Sequence, residues 1–284
     1  MNKLTVVYIS LVLVCIGLCH YYYLEIEQDL NETAESILQN SKNDTEKVHN
    51  IIAWENNNLS LTRFESNQYY PRRSRDPHWY IFLKKANCGE RAIIFEDMAE
   101  RTNITYRKLR IDGYIDPANN NIDNHRWFEV WLECDWRIAD SGYNLSYPKN
   151  NQSYFTSVKE YLIGHVAILS DNGTFEDCTD RYVNETSKLI IHSVKDGKNI
   201  EDADISIKLT HKNLTCPVVG KSIKYSTNDS GLCEINLGIY NETYYTVDVS
   251  YESVFYNYSG RENVTIINKT TFLVIELDKL QIKW

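Results

Sequence analysis

An apolar run near the N-terminus constrains this chain more than any other feature of its sequence. It extends from about Thr5 to Cys19 and continues into Tyr21-Tyr22-Tyr23-Leu24, after a single lysine. One lysine before a run of this length fits a signal sequence whose N-terminus stays in the cytoplasm. The absence of a small-x-small cleavage site favours an uncleaved signal anchor over a cleaved signal peptide. We therefore predict that residues 1–24 take the rest of the chain out of the cytoplasm.

Asn-x-Ser/Thr sequons indicate the same location. About four would be expected by chance from this content of Asn, Ser and Thr, so the observed excess predicts a glycosylated exterior surface. The sequons begin at Asn31, Asn43, Asn58, Asn103, Asn144, Asn151, Asn172, Asn184, Asn213, Asn228, Asn241, Asn257, Asn263 and Asn268. We expect a cell-surface ectodomain, or a secreted protein if the N-terminal segment is cleaved.

Charge and composition exclude several classes of partner. The formal net charge of the 284 residues is -9, and the main basic cluster, Pro71-Arg72-Arg73-Ser74-Arg75, reads as a solvated loop. Binding to nucleic acid needs clustered Lys and Arg, so we expect no nucleic-acid partner. Histidines and cysteines do not recur at metal-ligand spacing, and no glycine-rich phosphate loop is present, so we expect no cofactor.

The apolar pattern changes along the chain. Residues 25–50 predict a helix that packs onto the next domain, and "KKANCGERAIIFEDMAERTNI" predicts another helix with an apolar stripe. Beyond about Ser187 the helical periodicity disappears. The strand-like segments there are "KLIIHSV", "ADISIKLT", "KSIKYST", "LCEINLG", "YYTVDVSY", "NVTII" and "TFLVIEL". We predict an α+β fold with a mixed domain over residues 25–184 and an all-β sandwich over 187–284.

The segment "NHRWFEVWLECDWRIADSG" (124–142) predicts a β-hairpin. Period-2 alternation places His125 and Glu129 on one face of its first strand. Glu133-Cys134-Asp135 is the predicted turn, and counting outward from it brings His125 near Asp140. An imidazole beside a carboxylate supplies two of the three members of a catalytic triad, and the third would be a nucleophile.

Cys88 is the predicted nucleophile. It begins the helix of "NCGERA", where unpaired backbone N–H groups and the helix dipole favour a thiolate. His125 would take the thiol proton, and Asp140 would hold the imidazole in the correct tautomer.

The count of cysteines also favours Cys88 as a free thiol. Two of the seven lie in the apolar segment, which leaves five outside. The simplest pairing inside the predicted sandwich is Cys216 with Cys233, and pairing Cys134 with Cys178 leaves Cys88 unpaired.

Three blocks carry a resemblance to a known family: "NCGERAIIFEDMAERTNITYRKLRI", "NHRWFEV" and "DWRIAD". They resemble the core of the transglutaminase-like superfamily, whose papain-like fold carries Cys, His and Asp in this order. The resemblance implies that Cys88 is the nucleophile, His125 the general base and acid, and Asp140 the orienting carboxylate. It covers the part of the chain from about residue 45 to residue 184.

Two finer resemblances follow from these blocks and from the C-terminal segment. The blocks, with "FEDCTDRY", are also similar to peptide:N-glycanases, which cleave the amide between glycan and asparagine; the paired Cys-x-x-Cys zinc site that precedes the glycanase core is absent here. The C-terminal segment is similar to carboxypeptidase-regulatory or transthyretin-like sandwich modules. This similarity implies that the segment is a binding module or a spacer.

Other polar and aromatic residues have two interpretations each. Glu90 and Glu129 either touch a substrate or brace the site, and bracing is favoured. Trp79 and Trp127 could shape an oxyanion site or pack in the core, whereas Trp54 is assigned to the core. His165 and His192, each alone in an apolar strand, are interpreted as core or surface histidines.

The predicted function is that of a cofactor-free thiol enzyme that attacks carboxamide bonds through a thioester. Hydrolysis is favoured over transamidation because water is abundant, and the expected substrates are peptides, isopeptides or glycopeptides. One alternative is a non-catalytic surface or adhesion protein on an inactive fold of the same type. Another is a structural envelope component, in which Cys88 would be unreactive or disulfide-bonded.

Overall fold

The computed structural model describes residues 3–61, 76–141, 161–170, 172–253 and 256–282. The predicted basic loop at 71–75 and the sequons at Asn144 and Asn151 lie outside the described residues. The chain divides into two compact units. Unit 1 consists of Met1–Tyr106 and Trp127–Pro148, and unit 2 of Arg107–Arg126 and Lys149–Trp284.

Four helices build most of unit 1. They are α1 (Lys3–Asn40), α2 (Asp44–Asn58), α3 (Pro77–Leu83) and α4 (Cys88–Arg101). Their apolar sides share one core, to which α1 contributes Leu30, Ala34 and Ile37, α2 contributes Val48, Ile51 and Ile52, and α4 contributes Phe95, Met98 and Ala99. The predicted packing of residues 25–50 is confirmed, although the segment forms the end of one helix and the start of the next.

Helix α1 changes character along its length. Its first part is apolar yet exposed, with Leu4 at 77% and Leu13 at 62% exposure. By length and composition this helix could cross a membrane or serve as a signal sequence. One face of its last turns, with Leu30, Ala34 and Ile37, is buried in the core of unit 1, so one continuous helix joins the apolar run to the folded unit.

A hairpin completes unit 1. Strand β4 (Asn121–Leu132) pairs antiparallel with β5 (Asp135–Ala139), and Leu132 lies opposite Asp135. The turn is therefore Glu133-Cys134, one residue shorter than predicted. Both turn residues have positive φ, 52° and 62°, as a two-residue hairpin turn with the right-handed strand twist requires. A short parallel pair, β1 (Ser60–Leu61) and β2 (Lys85–Ala86), precedes α4.

Antiparallel pairing continues in β3 (Tyr106–Asp116), which lies next to β4 in a six-stranded sheet. Strand β3 pairs with β6 (Leu162–Ile163) and β7 (Ala167–Leu169), and β7 pairs with β8 (Phe175–Asp177). A short 3-10 helix, Thr179–Arg181, leads from this sheet into the C-terminal strands.

The C-terminal strands form two sheets that share one apolar core. Their bounds are β9 Thr186–Lys195, β10 Lys198–Asn199, β11 Asp204–His211, β12 Leu214–Val219, β13 Tyr225–Ser226, β14 Leu232–Gly238, β15 Thr243–Glu252, β16 Tyr256–Val264, β17 Thr270–Glu276 and β18 Asp278–Ile282. The first sheet has the order β10-β9-β14, with β17 also paired to β9. The second sheet has the order β12-β11-β15-β16-β18, with β13 paired to β11. Ile191 of β9 and Val247 of β15 are buried in that core, which confirms a C-terminal β domain.

The structure corrects the predicted disulfides. None of the seven cysteines is in a disulfide bond, so neither Cys134–Cys178 nor Cys216–Cys233 is bonded. Cys134 is exposed in the hairpin turn, whereas the thiol of Cys178 is buried and donates to Val166 O at 3.6 Å. Cys216 and Cys233 lie on different sheets of the sandwich and pack in its core as small apolar side chains.

Candidate active site

Cys88 is the first residue of α4, as the sequence predicts. The helix begins there because Asn87 is extended and caps it: Asn87 Oδ1 accepts a hydrogen bond from Glu90 N at 3.0 Å. Glu90 Oε2 in turn accepts from Asn87 N at 2.8 Å, which completes a capping box. Cys88 is partly exposed and sits where unpaired N–H groups and the helix dipole favour negative charge.

Arg91 fixes the position of α4 one turn after Cys88. Its guanidinium donates to Asn56 Oδ1 at 2.5 Å, to Leu59 O at 2.6 Å and to Ser141 O at 2.9 Å. Only 3% of this arginine is exposed. It therefore ties the start of α4 to the end of α2 and to the residue that follows Asp140.

A buried acidic pair accompanies Arg91. Asp140 is 3% exposed, and Glu55 on α2 is fully buried. The pKa of Glu55 is raised to about 8, chiefly because burial disfavours the charged form; Ser141 and Arg91 lower the pKa, and the charge of Asp140 raises it. Neither carboxyl oxygen of Glu55 has a hydrogen bond of regular geometry in the described part of the chain. Glu55 is thus largely a neutral acid at pH 7, next to Asp140 and the guanidinium of Arg91.

The sequence reasoning missed Glu55 and Arg91. The signal for Glu55 was its spacing of four and three from Ile51 and Ile52, which places a carboxyl on the apolar face of α2. Arg91 lies four residues before Phe95 and so shares the buried face of α4. A charged residue within an apolar stripe needs a partner, and such a position is a candidate for the surroundings of a site.

His125 lies on β4 and is 3% exposed. The division between the units passes between Arg126 and Trp127, so His125 belongs to unit 2, and Cys88 and Asp140 belong to unit 1. Trp127 and Glu129, which alternate with it along the strand, are also buried. Within unit 1 the pairing of Phe128 with Ala139, continued by one residue, sets Asp140 opposite Trp127.

The remaining candidates fall into distinct surroundings. Trp54 packs against the core of unit 1, as assigned, while Trp79 on α3 is 48% exposed. His165 is fully buried in unit 2, where its Nδ1 lies 2.9 Å from Thr179 Oγ1 and 3.1 Å from Asn236 O, and burial lowers its pKa. His192 is partly exposed on β9, with Nε2 2.8 Å from Asn199 Oδ1. No metal-binding group of His, Cys, Asp or Glu is found among the described residues.

The family model described as "Transglutaminase-like superfamily" matches residues 31–141. That segment runs from α1 to Ser141 and contains Cys88, His125 and Asp140. Residues 31–141 are thus similar to a transglutaminase-like core. The resemblance that the three sequence blocks carry is therefore confirmed at the level of the superfamily. The similarities to peptide:N-glycanases and to transthyretin-like modules stay predictions.

Three known proteins are similar to this chain. The kyphoscoliosis peptidase of Mus musculus is 24% identical over 156 residues, which cover 52% of this chain and 23% of that protein. The chain thus spans about a quarter of the length of that relative. Red sea bream transglutaminase gives a TM-score of 0.36 at 9% identity, over 87% of this chain and 57% of that one. LapG of Legionella pneumophila gives a TM-score of 0.34 at 13% identity, over 52% of this chain and 88% of that one.

Proposed function

We propose that this protein is a cysteine-dependent hydrolase of carboxamide bonds, with Cys88, His125 and Asp140 as its catalytic residues. The observation that carries the proposal is the position of Cys88 at the capped start of α4, inside the segment that matches the transglutaminase-like superfamily. The superfamily order of Cys, His and Asp is kept along the chain.

The first half-reaction is acyl transfer to sulfur. The Cys88 thiolate attacks the carbonyl carbon, and the C–N bond breaks to leave a thioester. His125, which holds the thiol proton, transfers that proton to the departing amine. Backbone N–H groups at the start of α4 stabilise the oxyanion, a contribution of about 3 kcal/mol for each donor in comparable sites.

The second half-reaction is the attack of water on the thioester. His125 takes a proton from the water and returns it to the Cys88 sulfur as the acid product leaves. Asp140 orients the imidazole in both halves. The buried Arg91 compensates the charge of Asp140, and Glu55 adds little competing charge because its pKa of about 8 keeps most of it neutral at pH 7.

Three observations bear on the substrate and its location. The relative of Mus musculus is named a peptidase, which favours peptide or isopeptide bonds. The N-terminal helix supports export as an anchor or a signal sequence. The sequon asparagines in the described ranges are exposed apart from the half-buried Asn257, so their side chains are accessible for glycosylation. We therefore place the hydrolase at the cell surface, with glycopeptides as a further substrate class.

The proposal is tested by mass spectrometry of defined peptides, isopeptides and glycopeptides after incubation with the purified full chain. We expect hydrolysis products from the wild-type protein and none from Cys88→Ala. Cys134→Ala is the matched control because Cys134 is an exposed thiol in the hairpin turn of the same unit. It should give the wild-type products.

The same experiment distinguishes the alternative functions. An amine added in excess would give a transamidated product if an amine competes with water for the thioester. Identical products from wild type and Cys88→Ala would assign the turnover to another agent. The non-catalytic surface protein would then be the better account of this chain.

A further inference from the structure

An exposed aromatic cluster lies where the apolar part of α1 ends. It consists of Tyr21, Tyr22 and Tyr23 on α1 and Trp79 and Phe82 on α3. The ring centroids of Tyr22 and Phe82 are 5.9 Å apart, and those of Trp79 and Phe82 are 6.0 Å apart. Each of the five side chains is between 44% and 61% exposed. Two helices thus present one aromatic surface to the surroundings, although their other faces are packed in unit 1.

The position of the cluster matches the edge of a lipid bilayer. From Leu4 to Tyr22 the helix advances about 27 Å at about 1.5 Å per residue, close to the thickness of about 30 Å of a hydrocarbon core. The intervening side chains are exposed, and all but Thr5, Ser10 and His20 are apolar, aromatic, glycine or cysteine. Tyrosine and tryptophan are enriched at the two membrane–water interfaces because their rings are amphipathic. If α1 spans the bilayer, the aromatic cluster lies at the interface.

A network of charges begins about one turn beyond the cluster. Glu27 on α1 bonds Arg101 of α4, with Oε1 2.7 Å from Nη1 and Oε2 2.8 Å from Nη2. The other neighbour of Glu27 Oε2 is His78 Nε2 at 2.8 Å, and His78 Nδ1 lies 2.6 Å from Asp76 Oδ1. These groups belong on the aqueous side of the interface, which agrees with the depth assigned to the cluster.

This network also holds α3 in place. His78 is on α3, is stacked on Tyr23 at a centroid distance of 4.0 Å, and is joined to Glu27. Trp79 and Phe82 follow His78 on the same short helix. They therefore stay level with the tyrosines of α1 while unit 1 keeps its fold.

We propose that α3 is a membrane-contact element, in which Trp79 and Phe82 enter the interfacial layer of the bilayer that α1 crosses. The occupant of the exposed aromatic surface is lipid. The contact requires α1 to be retained as an anchor, because cleavage after the apolar run would remove the tyrosines from α3. It holds unit 1 against the membrane surface, and it is independent of the proposed catalytic residues.

The test uses the full chain reconstituted in phosphatidylcholine vesicles whose acyl chains carry bromine near the headgroup. Bromine quenches tryptophan fluorescence at contact distance. We expect the wild-type protein to be quenched and Trp79→Phe to lose most of the quenching. Trp131→Phe is the matched control because Trp131 is 43% exposed in the same unit and packs on Trp136 rather than on the cluster. It should keep the wild-type quenching.

A second variant tests the neighbouring position by a gain of signal. Phe82→Trp in the Trp79→Phe background should restore the quenching, because position 82 lies in the same exposed cluster. Quenching that persists in Trp79→Phe, or that the second tryptophan fails to restore, would overturn the proposal. A mature protein that begins after Tyr23, as measured by intact mass, would also overturn it.

Discussion

At the scale of single residues, Glu55 has the most unusual surroundings. It is fully buried, and its pKa is raised from 4.5 to about 8 because burial disfavours the charged form. In the unfolded chain the same carboxyl ionises at its ordinary value. The folded state therefore binds one more proton than the unfolded state between about pH 4.5 and about pH 8. The contribution of Glu55 to the free energy of unfolding decreases as the pH rises through that window.

The substitution Glu55→Gln tests this linkage. We expect Glu55 to lower the wild-type free energy of unfolding by at most about 1.4 kcal/mol for each pH unit across the window. The variant should lose this pH dependence. Urea unfolding of the full chain in detergent, followed by tryptophan fluorescence, gives the comparison. Glu133→Gln, at an exposed position of the hairpin turn, should keep the wild-type slope. An unchanged slope in Glu55→Gln would show that the buried carboxyl does not titrate as inferred.

The residues with local sequence signals were the predictable ones. Cys88 begins α4 as expected because Asn87 and Glu90 form a capping pattern that is local in sequence. The predicted disulfides were wrong. A count of cysteines assumes that each finds a partner, and it does not show where in the fold their side chains lie. The roles of Glu55 and Arg91 were missed, since they depend on contacts between residues far apart in sequence.

At the scale of elements, the start of α4 controls where Cys88 lies. The cap of Asn87 satisfies Glu90 N, one of the N–H groups that have no partner within the helix. The capping box therefore stabilises the turn that presents the thiol.

The substitution Asn87→Ala should lower the free energy of unfolding by about 1 kcal/mol, because the cap is lost. Asn87→Ser keeps an oxygen that can accept the same bond and should retain most of the stability. Both values come from urea unfolding under one set of conditions. Equal losses in the alanine and serine variants would mean that the side-chain cap contributes little.

Strands with clear alternation were also predictable, and strands without it were not. The hairpin of β4 and β5 was placed correctly apart from one residue of the turn. Strand β16 was expected at 263–267 but spans Tyr256–Val264, where the described side chains are half-buried or exposed without period-2 alternation. Strand β12 was missed; it contains Pro217, and the register against β11 shifts beside it.

At the scale of the whole molecule, the distribution of thiols is the clearest departure from expectation. None of the seven is in a disulfide bond, and burial raises the pKa of both Cys216 and Cys233 to about 12. These two thiols are therefore neutral and unreactive while the sandwich is folded. The stability of the β domain then rests on its apolar core rather than on cross-links.

Alkylation without reductant tests this account. In denaturant, we expect each of the seven cysteines to be modified, with the same mass whether or not a reductant is added first. In the folded protein, Cys216 and Cys233 should remain unmodified. A peptide in which Cys216 and Cys233 are linked would restore the disulfide that the sequence suggested and would contradict the free-thiol structure.

The most direct test of the central claim is the rate at which Cys88 itself is alkylated at neutral pH. Iodoacetamide labelling of the folded full chain, read out by peptide mapping, gives the rates of Cys88 and of the exposed Cys134 in one sample. We predict that Cys88 reacts faster than Cys134, and that His125→Ala slows Cys88 while leaving Cys134 unchanged. If Cys88 reacts no faster than Cys134, or reacts at the same rate in wild type and His125→Ala, the thiol is not activated and the proposed enzymatic function is contradicted.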